Sequence, residues 1–284
     1  MASNLGVLVW NVRGLNSPAR RNVVRLFIQS ANTAIVCLQE SKLETVDQNT
    51  VTQTLGAGFD GFDYLPADGT RGGVIIGWRS DMVTLSSFQK GEFTISANVR
   101  AMADDAQWYI TSVYGPQLEA DKVRFISELT TIGANVQLPW MLNGDFNLIC
   151  DPADKNNHRI NRRLMSRFQH ALNSMALSEM PLAGRHFTWS SEQSRPTLVK
   201  LDRVFFSNSW DDLYPASQLQ ALSSSISDHC PMMLDCHAPF FCARQFRLET
   251  FWTRLEGFQD VVLAAWSSPV HSEDPYVVPV PTAR

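Results

Sequence analysis

The chain has 284 residues, 44% of them hydrophobic, enough to bury a substantial core as one large domain or two ordinary ones. Its 24 basic and 28 acidic residues give a formal net charge of −4, which excludes a protein that simply coats nucleic acid and leaves only local contacts of that kind. No apolar run approaches the roughly 20 residues of a membrane span, residues 1–10 lack a basic start and a cleavable apolar segment, and Cys37, Cys150, Cys230, Cys236 and Cys242 lack zinc spacing, so reduced thiols in a soluble, unsecreted protein are expected.

GVLVW (6–10) reads as a first strand and runs into Asn11. Residues 19–30 (ARRNVVRLFIQS) follow with helical spacing, Val23, Leu26 and Phe27 sharing a face. AIVCLQ (34–39) reads as a strand that ends at Glu40, and GGVIIGW (72–78) and WYITSVY (108–114) as two more, the last closing on Tyr114. The spacing predicts a helix over 119–136 that carries Val123, Ile126, Leu129 and Ile132. WMLNG (140–144) then stops at Asp145, Phe146 and Asn147; if the segment stays extended, Asp145 and Asn147 share a face and Phe146 points back. A helix over 161–177 carries Leu164, Phe168, Leu172 and Met175. KLDRVFFS (200–207) reads as a strand holding Asp202, and PMMLDC (231–236) as one preceded by Ser227, Asp228 and His229.

Several strands come without a helix between them, which favours mixed sheets covered by helices over a strictly alternating parallel sheet. No repeat of fixed period is present. From residue 239 the character changes to an aromatic-rich stretch of amphipathic-helix type and then, beyond Trp266, to a Pro/Ser-rich segment that reads as a disordered tail or linker. A chain that runs into such a linker is expected to be a fragment of something longer.

Each polar strand end has a plain account by itself. Asp, Asn and Gly are turn residues, Asn11 could cap a turn, Glu40 could be a solvated acid, Asp202 could pair with Arg203, and a lone histidine such as His229 is more often structural. Jointly, acids, amides, a tyrosine and an Asp-His pair at the ends of core strands are what a phosphate site with a hard metal requires. Oxygen ligands suit magnesium, and the lack of a Cys/His cluster disfavours zinc.

The ordered set WNVRGL, LQES, RGGVIIGW, VYGP, NGDFN, FTWSS, KLDRVFF and SDHCPM resembles the endonuclease/exonuclease/phosphatase superfamily over about residues 5–237. WNVRGLNSPARR and FRLETFWTRLEGFQDVV are most similar to the endonuclease domain of plant LINE-type non-LTR retrotransposon proteins. The resemblance implies an α/β, four-layer αββα sandwich of two packed mixed sheets over residues 1–238, with 239–284 a linker or helical extension towards a reverse transcriptase region. It implies Mg2+, with Mn2+ as a substitute, held by Glu40, Asn11 and Asp228. It implies Asp145 orienting or deprotonating the attacking water, Asn147 helping to hold that water or the scissile phosphate, Tyr114 on the phosphate, and His229 on a non-bridging oxygen with Asp202 fixing its ring. The implied reaction is DNA nicking that leaves a 3′-OH and a 5′-phosphate, in a nuclear protein with DNA, a reverse transcriptase domain or element RNA as partners and no membrane.

Arg13 departs from the family pattern: abasic-site repair enzymes commonly carry an acid two residues after the Asn, which weakens the repair reading and the expectation of a second metal, and Arg13 would instead offer positive charge to a substrate phosphate. Trp189 stands where the family packs an aromatic against substrate, and a core tryptophan fits equally well. Arg159, Arg162 and Arg163, with Arg167, and Arg20, Arg21 and Arg25 on the first helix, are candidates for phosphate contacts; a solvated helix face is the alternative. Residues 151–163 are long and polar enough for a mobile loop that helps choose a target. A phosphomonoesterase or RNase of the same superfamily, or a catalytically silent remnant serving as a binding module, are the competing readings.

Overall fold

The structure, a computed structural model, describes residues 5–31, 33–69, 71–238 and 257–267. Among them the helices are α1 (Pro18–Ala31), α2 (Gln48–Thr54), α3 (Glu119–Gly133), α4 (Arg162–Ser174), α5 (Asn208–Leu213) and α6 (Phe258–Ser267). The long strands are β1 (Gly6–Asn11), β2 (Ile35–Gln39), β3 (Gly61–Asp68), β4 (Arg71–Trp78), β5 (Val83–Lys90), β6 (Thr94–Ala101), β7 (Gln107–Tyr114) and β8 (Trp140–Asp145). The remaining strands are β9 (Leu177–Glu179), β10 (Leu182–Ala183), β11 (Trp189–Ser190), β12 (Leu198–Val199), β13 (Asp202–Ser207), β14 (Gln218–Ala221) and β15 (Met232–Asp235).

The strands form a seven-stranded sheet in the order β10-β14-β15-β1-β2-β4-β3, a six-stranded sheet β5-β6-β7-β8-β13-β9, and the small hairpin β11-β12. Both large sheets are mixed: β1 runs parallel to β2 and β7 parallel to β8, while β15, β4, β6 and β13 join antiparallel. Their side chains explain the layering. Val7, Val9, Cys37, Ile76, Ile95, Ile110, Met141 and Val204 alternate inwards and fill the gap between the sheets. The opposite face of the first sheet packs Leu8, Trp10, Val36 and Leu38 against Val24 and Ile28 of α1 and Val51 of α2. The opposite face of the second packs Leu142, Phe146 and Phe205 against Phe125 and Leu129 of α3 and Phe168 and Leu172 of α4. The result is an αββα sandwich of two packed mixed sheets flanked by helices.

Two helices are phased differently from expectation. Ser17 bonds the Arg20 amide at 3.4 Å, and Pro18, whose missing N–H costs nothing at a first position, starts α1. The buried face is then Val24 and Ile28 with Phe27 partly covered, while Val23 and Leu26 are exposed. In α3 the buried residues are Phe125, Ile126 and Leu129, and Val123 faces out. The described cysteines, Cys37, Cys150, Cys230 and Cys236, are free thiols. Among the described residues no helix is long and apolar enough to cross a membrane.

The chain divides into compact units at residues 240 and 241. In the second, α6 is described; the rest of the expected aromatic stretch and the linker expected beyond Trp266 lie largely outside the described residues.

Candidate active site

Strand register brings the polar strand ends together. On the second sheet, Tyr114 pairs with Asp145 and Asp145 with Asp202, so three polar side chains stand in one row at the end of β7, β8 and β13. On the first sheet Asn11 pairs with Gln39, one residue before Glu40. Asn11, Asp145 and Asp202 each continue a series that is apolar deeper in the gap: Val7 and Val9, Met141, and Val204. The site is therefore the polar end of the layer between the sheets.

One bond closes that gap. The Asn11 side-chain amide donates to Asp145 Oδ2 at 2.9 Å, across 134 residues of sequence, and lies 3.4 Å from His229 Nε2. His229 Nδ1 is 2.8 Å from Asp202 Oδ2, and its Nε2 is 3.9 Å from Asp145 Oδ2. Asn11, Asp145, Asp202 and His229 are all buried, whereas Glu40, Tyr114, Asn147, Trp189 and Asp228 are partly exposed around them.

Burial is the main influence on the ionisation of this floor. Loss of water raises Asp145 to about 6, the charge of His229 opposing and that of Asp202 reinforcing the change. Burial alone would lower His229, but the charges of Asp202 and Asp145 and the Asp202 hydrogen bond outweigh it and lift the imidazole to about 9. His229 is thus a cation at neutral pH. Burial, then Glu40 and Asp145, push Tyr114 far above its ordinary range and keep its hydroxyl neutral.

Further bonds, invisible in the sequence, hold these groups. Thr188 Oγ1 accepts the Leu201 and Asp202 amides at 2.9 and 3.0 Å and so sets the start of β13. Ser227 donates to the Asn11 carbonyl at 2.7 Å and accepts the His229 amide at 3.2 Å. The indole of Trp10 donates to the His229 carbonyl at 3.3 Å. Asn147 donates its amide to Asp145 Oδ1 at 3.0 Å and its side-chain nitrogen to the Gly115 carbonyl at 2.8 Å. Neither Thr188 nor Lys122, which bonds the Asn147 carbonyl, is legible in the sequence, because each meets its partner only through the fold.

Backbone strain collects here. Arg13, Glu40, Lys42 and Asn147 all have φ between 49° and 56°, a left-handed conformation that costs side chains about 1 kcal/mol or more. Gly144 has φ 131°, and a Cβ there would fall 2.2 Å from the Val113 carbonyl oxygen, so only glycine lets β8 lie against β7 at this point.

Trp189, for which core and substrate roles fit the sequence equally, is half-buried, and its indole N–H donates to Asp228 Oδ2 at 3.0 Å. Arg13 is exposed and grips the same oxygen at 3.0 Å, with Glu192 3.6 Å away. Asp228 Oδ1 is buried without a protein partner. Glu40 is 3.0 Å from Lys42 Nζ, and its charge is one cause of the raised proton affinity of Tyr114. A hard divalent cation wants oxygen donors; Glu40 and Asp228 offer carboxylates, and the orphaned Asp228 Oδ1 is an atom such a cation would satisfy, while the Asn11 side-chain oxygen accepts the Arg13 amide at 3.0 Å. Among the described residues, the acidic and histidine side chains whose ligand atoms converge within 4.8 Å are Asp145, Asp202 and His229. Within that trio His229 Nδ1 and Asp202 Oδ2 already bond each other at 2.8 Å.

The arginines separate into two groups. Arg20 spends its guanidinium on the carbonyls of Val12 and Ile226, at 2.8 and 2.5 Å, and Arg21 on the Leu15 carbonyl and Gln53. These are structural, contrary to the phosphate role expected of them. Arg159, Arg162, Arg163 and Arg167 are exposed, and among the described residues none forms an ion pair. Arg162 lines an open cavity of about 320 Å³ with Lys155 and His158. The expected mobile loop is instead knitted to the β11-β12 hairpin. Asn156 donates to the Pro196 carbonyl at 2.9 Å and accepts the Leu198 amide at 3.0 Å, and buried Arg203 grips Asp154 at 2.5 Å.

Comparison with known proteins agrees with this architecture. A family model described as Endonuclease/Exonuclease/phosphatase family matches residues 8–229. The fold is similar to that of the AP endonuclease LMAP from Leishmania major, with a TM-score of 0.62 at 15% identity over 84% of this chain and 89% of that one. It is similar to the endonuclease domain of TRAS1, a telomere-specific non-LTR retrotransposon, with a TM-score of 0.60 at 12% identity over 83% and 100% of the two chains. It is also similar to a mannosyl-6-phosphatase of Bacteroides thetaiotaomicron, with a TM-score of 0.54 at 15% identity over 81% and 98%. No curated protein matches the chain.

Proposed function

Because the chain belongs to the endonuclease/exonuclease/phosphatase family, we propose that it is a magnesium-dependent DNA endonuclease that nicks a target strand for a LINE-type retroelement. The observation that carries the reading is the relay across the two sheets, in which Asp202 holds His229 and Asn11 holds Asp145. It supplies a cation and a near-neutral carboxylate side by side, the pair that hydrolysis of a phosphate diester needs.

Asp145, with a proton affinity raised by burial to about 6, is matched to taking a proton from water at neutral pH. Water attacks phosphorus, its proton passes to Asp145, and the bond from phosphorus to the 3′ oxygen breaks; the departing 3′ oxygen takes a proton from solvent, leaving a 5′-phosphate and a 3′-hydroxyl, and Asp145 later returns its proton to solvent. Asn147 keeps the carboxylate in place through two contacts and presents the water. His229, charged and fixed by Asp202, donates to a non-bridging oxygen as negative charge builds there. Tyr114, held neutral, donates a hydrogen bond to the phosphate. Glu40, Asn11 and Asp228 would hold Mg2+, for which Mn2+ could substitute, and the cation would neutralise phosphate charge.

DNA is favoured as substrate by Arg159, Arg162 and Arg163, exposed and without an ion pair among the described residues in a chain of net charge −4. The TRAS1 domain, whose fold is similar, is named as a retrotransposon endonuclease. In this reading the protein acts in the nucleus, and a reverse transcriptase domain or element RNA would be its partner, using the new 3′-hydroxyl as primer. The test is a panel of supercoiled plasmid, single-stranded RNA and an inositol phosphate with Mg2+ or EDTA. Open circles formed only with the metal support the reading. Phosphate release or RNA cleavage with intact plasmid would overturn it.

A further inference from the structure

Lys122 lies in the first turn of α3, partly buried, and its ammonium donates to the Asn147 carbonyl at 2.7 Å. Among the described residues it forms no ion pair, so a lysine charge is spent on a neutral carbonyl. Such burial disfavours a cation, and the proton affinity of Lys122 is indeed lowered by it, with Glu119 and Asp145 opposing. The carbonyl it holds belongs to a residue with φ 49°, a conformation asparagine tolerates but does not choose. Every other bond of Asn147 points into the site: its amide to Asp145 Oδ1 at 3.0 Å, and its side-chain nitrogen to Asp145 Oδ2 at 3.3 Å and to the Gly115 carbonyl at 2.8 Å. Gly115 in turn donates to the Asp145 carbonyl at 2.7 Å, and a Cβ on it would fall 2.1 Å from the Phe146 carbonyl oxygen. The segments at 115 and 145–147 are therefore pressed together, and α3 reaches that junction through Lys122.

We propose that Lys122 is a positioning residue whose ammonium locks Asn147 in its left-handed conformation and so keeps the Asn147 amide on the Asp145 carboxylate. This deepens the hydrolytic reading of the site and rests on it for the effect on rate, though not for the effect on structure. The lysine stem spans the distance from helix to loop, and the carbonyl it fixes has only this side chain to hold it among the described residues.

The experiment compares the wild type with Lys122→Met, which keeps the stem and removes the donors, and Lys122→Arg, which keeps a cationic donor. Two quantities are measured on the whole chain: amide hydrogen exchange over residues 145–149, and single-turnover cleavage of a DNA duplex with its affinity determined separately. In Lys122→Met the melting temperature stays near that of the wild type and exchange at Asn147 rises roughly tenfold. The cleavage rate falls roughly 10- to 100-fold with affinity little changed, and Lys122→Arg restores most of both. Unchanged exchange at Asn147 in Lys122→Met overturns the proposal, and so does a loss confined to affinity, which would make Lys122 a substrate contact. If the wild type cleaves no DNA, the functional reading fails, while the exchange comparison still decides whether Lys122 holds Asn147.

Discussion

At the scale of single residues, one burial acts in opposite senses on Asp145 and His229, yet both proton affinities end up raised. The same loss of water that raises Asp145 would lower His229, and only the carboxylates beside the imidazole reverse it. His229 should therefore titrate near 9 in the metal-free protein, not at its ordinary 6.5, when its ring is followed by NMR. Asp202→Asn removes the leading attraction and lowers that value. A ring that titrates at its ordinary value in the wild type would contradict this electrostatic account. Asn11, Glu40, Asp145, Asp202 and His229 are legible as candidates because polar residues closing apolar strands stand out in the sequence. Thr188 and Lys122 are not, since a hydroxyl or an ammonium that bonds a backbone group carries no local signal. The bonds that Ser227 makes to Asn11 and His229 are hidden for the same reason. Trp189 needs coordinates as well: its role depends on an indole N–H meeting Asp228, 39 positions away.

At the scale of elements, β13 and the loop at 151–160 are coupled by a buried charge set. Arg203, fully buried, holds Asp154 at 2.5 Å and Glu179 at 2.6 Å, and Asp154 also accepts the amides of Cys150 and Asp151 at 2.7 and 2.8 Å. Removing Arg203 leaves the buried Asp154 carboxylate without its counter-charge, whereas Glu179 keeps Lys200. Arg203→Met is thus expected to lower stability by about 3–5 kcal/mol in urea denaturation, and a loss under about 1 kcal/mol would show that the set is dispensable. The long strands β1, β2, β4, β7 and β8 are readable from apolar and β-branched runs. β3, β5 and β6 escape such a reading: GFDYLPAD contains proline, and VTLSSFQK and TISANVRA mix serine, asparagine and charge into their alternation. The face of α1 differs from expectation because Val23, Val24, Leu26, Phe27 and Ile28 leave two apolar stripes, and only packing on β1 and β2 selects between them.

At the scale of the whole molecule, a net negative charge makes the distribution of arginines decisive. Arg20 and Arg21 are consumed in joining loops, which leaves the exposed arginine group after β8 as the candidate for phosphate contacts away from the reacting centre. Replacing Arg159, Arg162 and Arg163 together by alanine should weaken DNA binding and flatten its dependence on salt, by roughly 0.9 in log–log slope for each phosphate no longer neutralised. An unchanged slope would move the DNA path elsewhere. Mixed sheets covered by helices are expected from strands arriving without intervening helices, the two-sheet sandwich from the family resemblance, and the layer between the sheets explains why the site is at its polar end.

The most direct test of the central claim is single-turnover cleavage of an end-labelled DNA duplex by the wild type, Asp145→Asn and His229→Ala, with Mg2+ and with EDTA. The account predicts metal-dependent cleavage that yields extendable 3′-hydroxyl ends and falls at least about 100-fold in each variant. Cleavage that survives both substitutions, or a folded wild type that leaves the duplex intact with Mg2+, would contradict it.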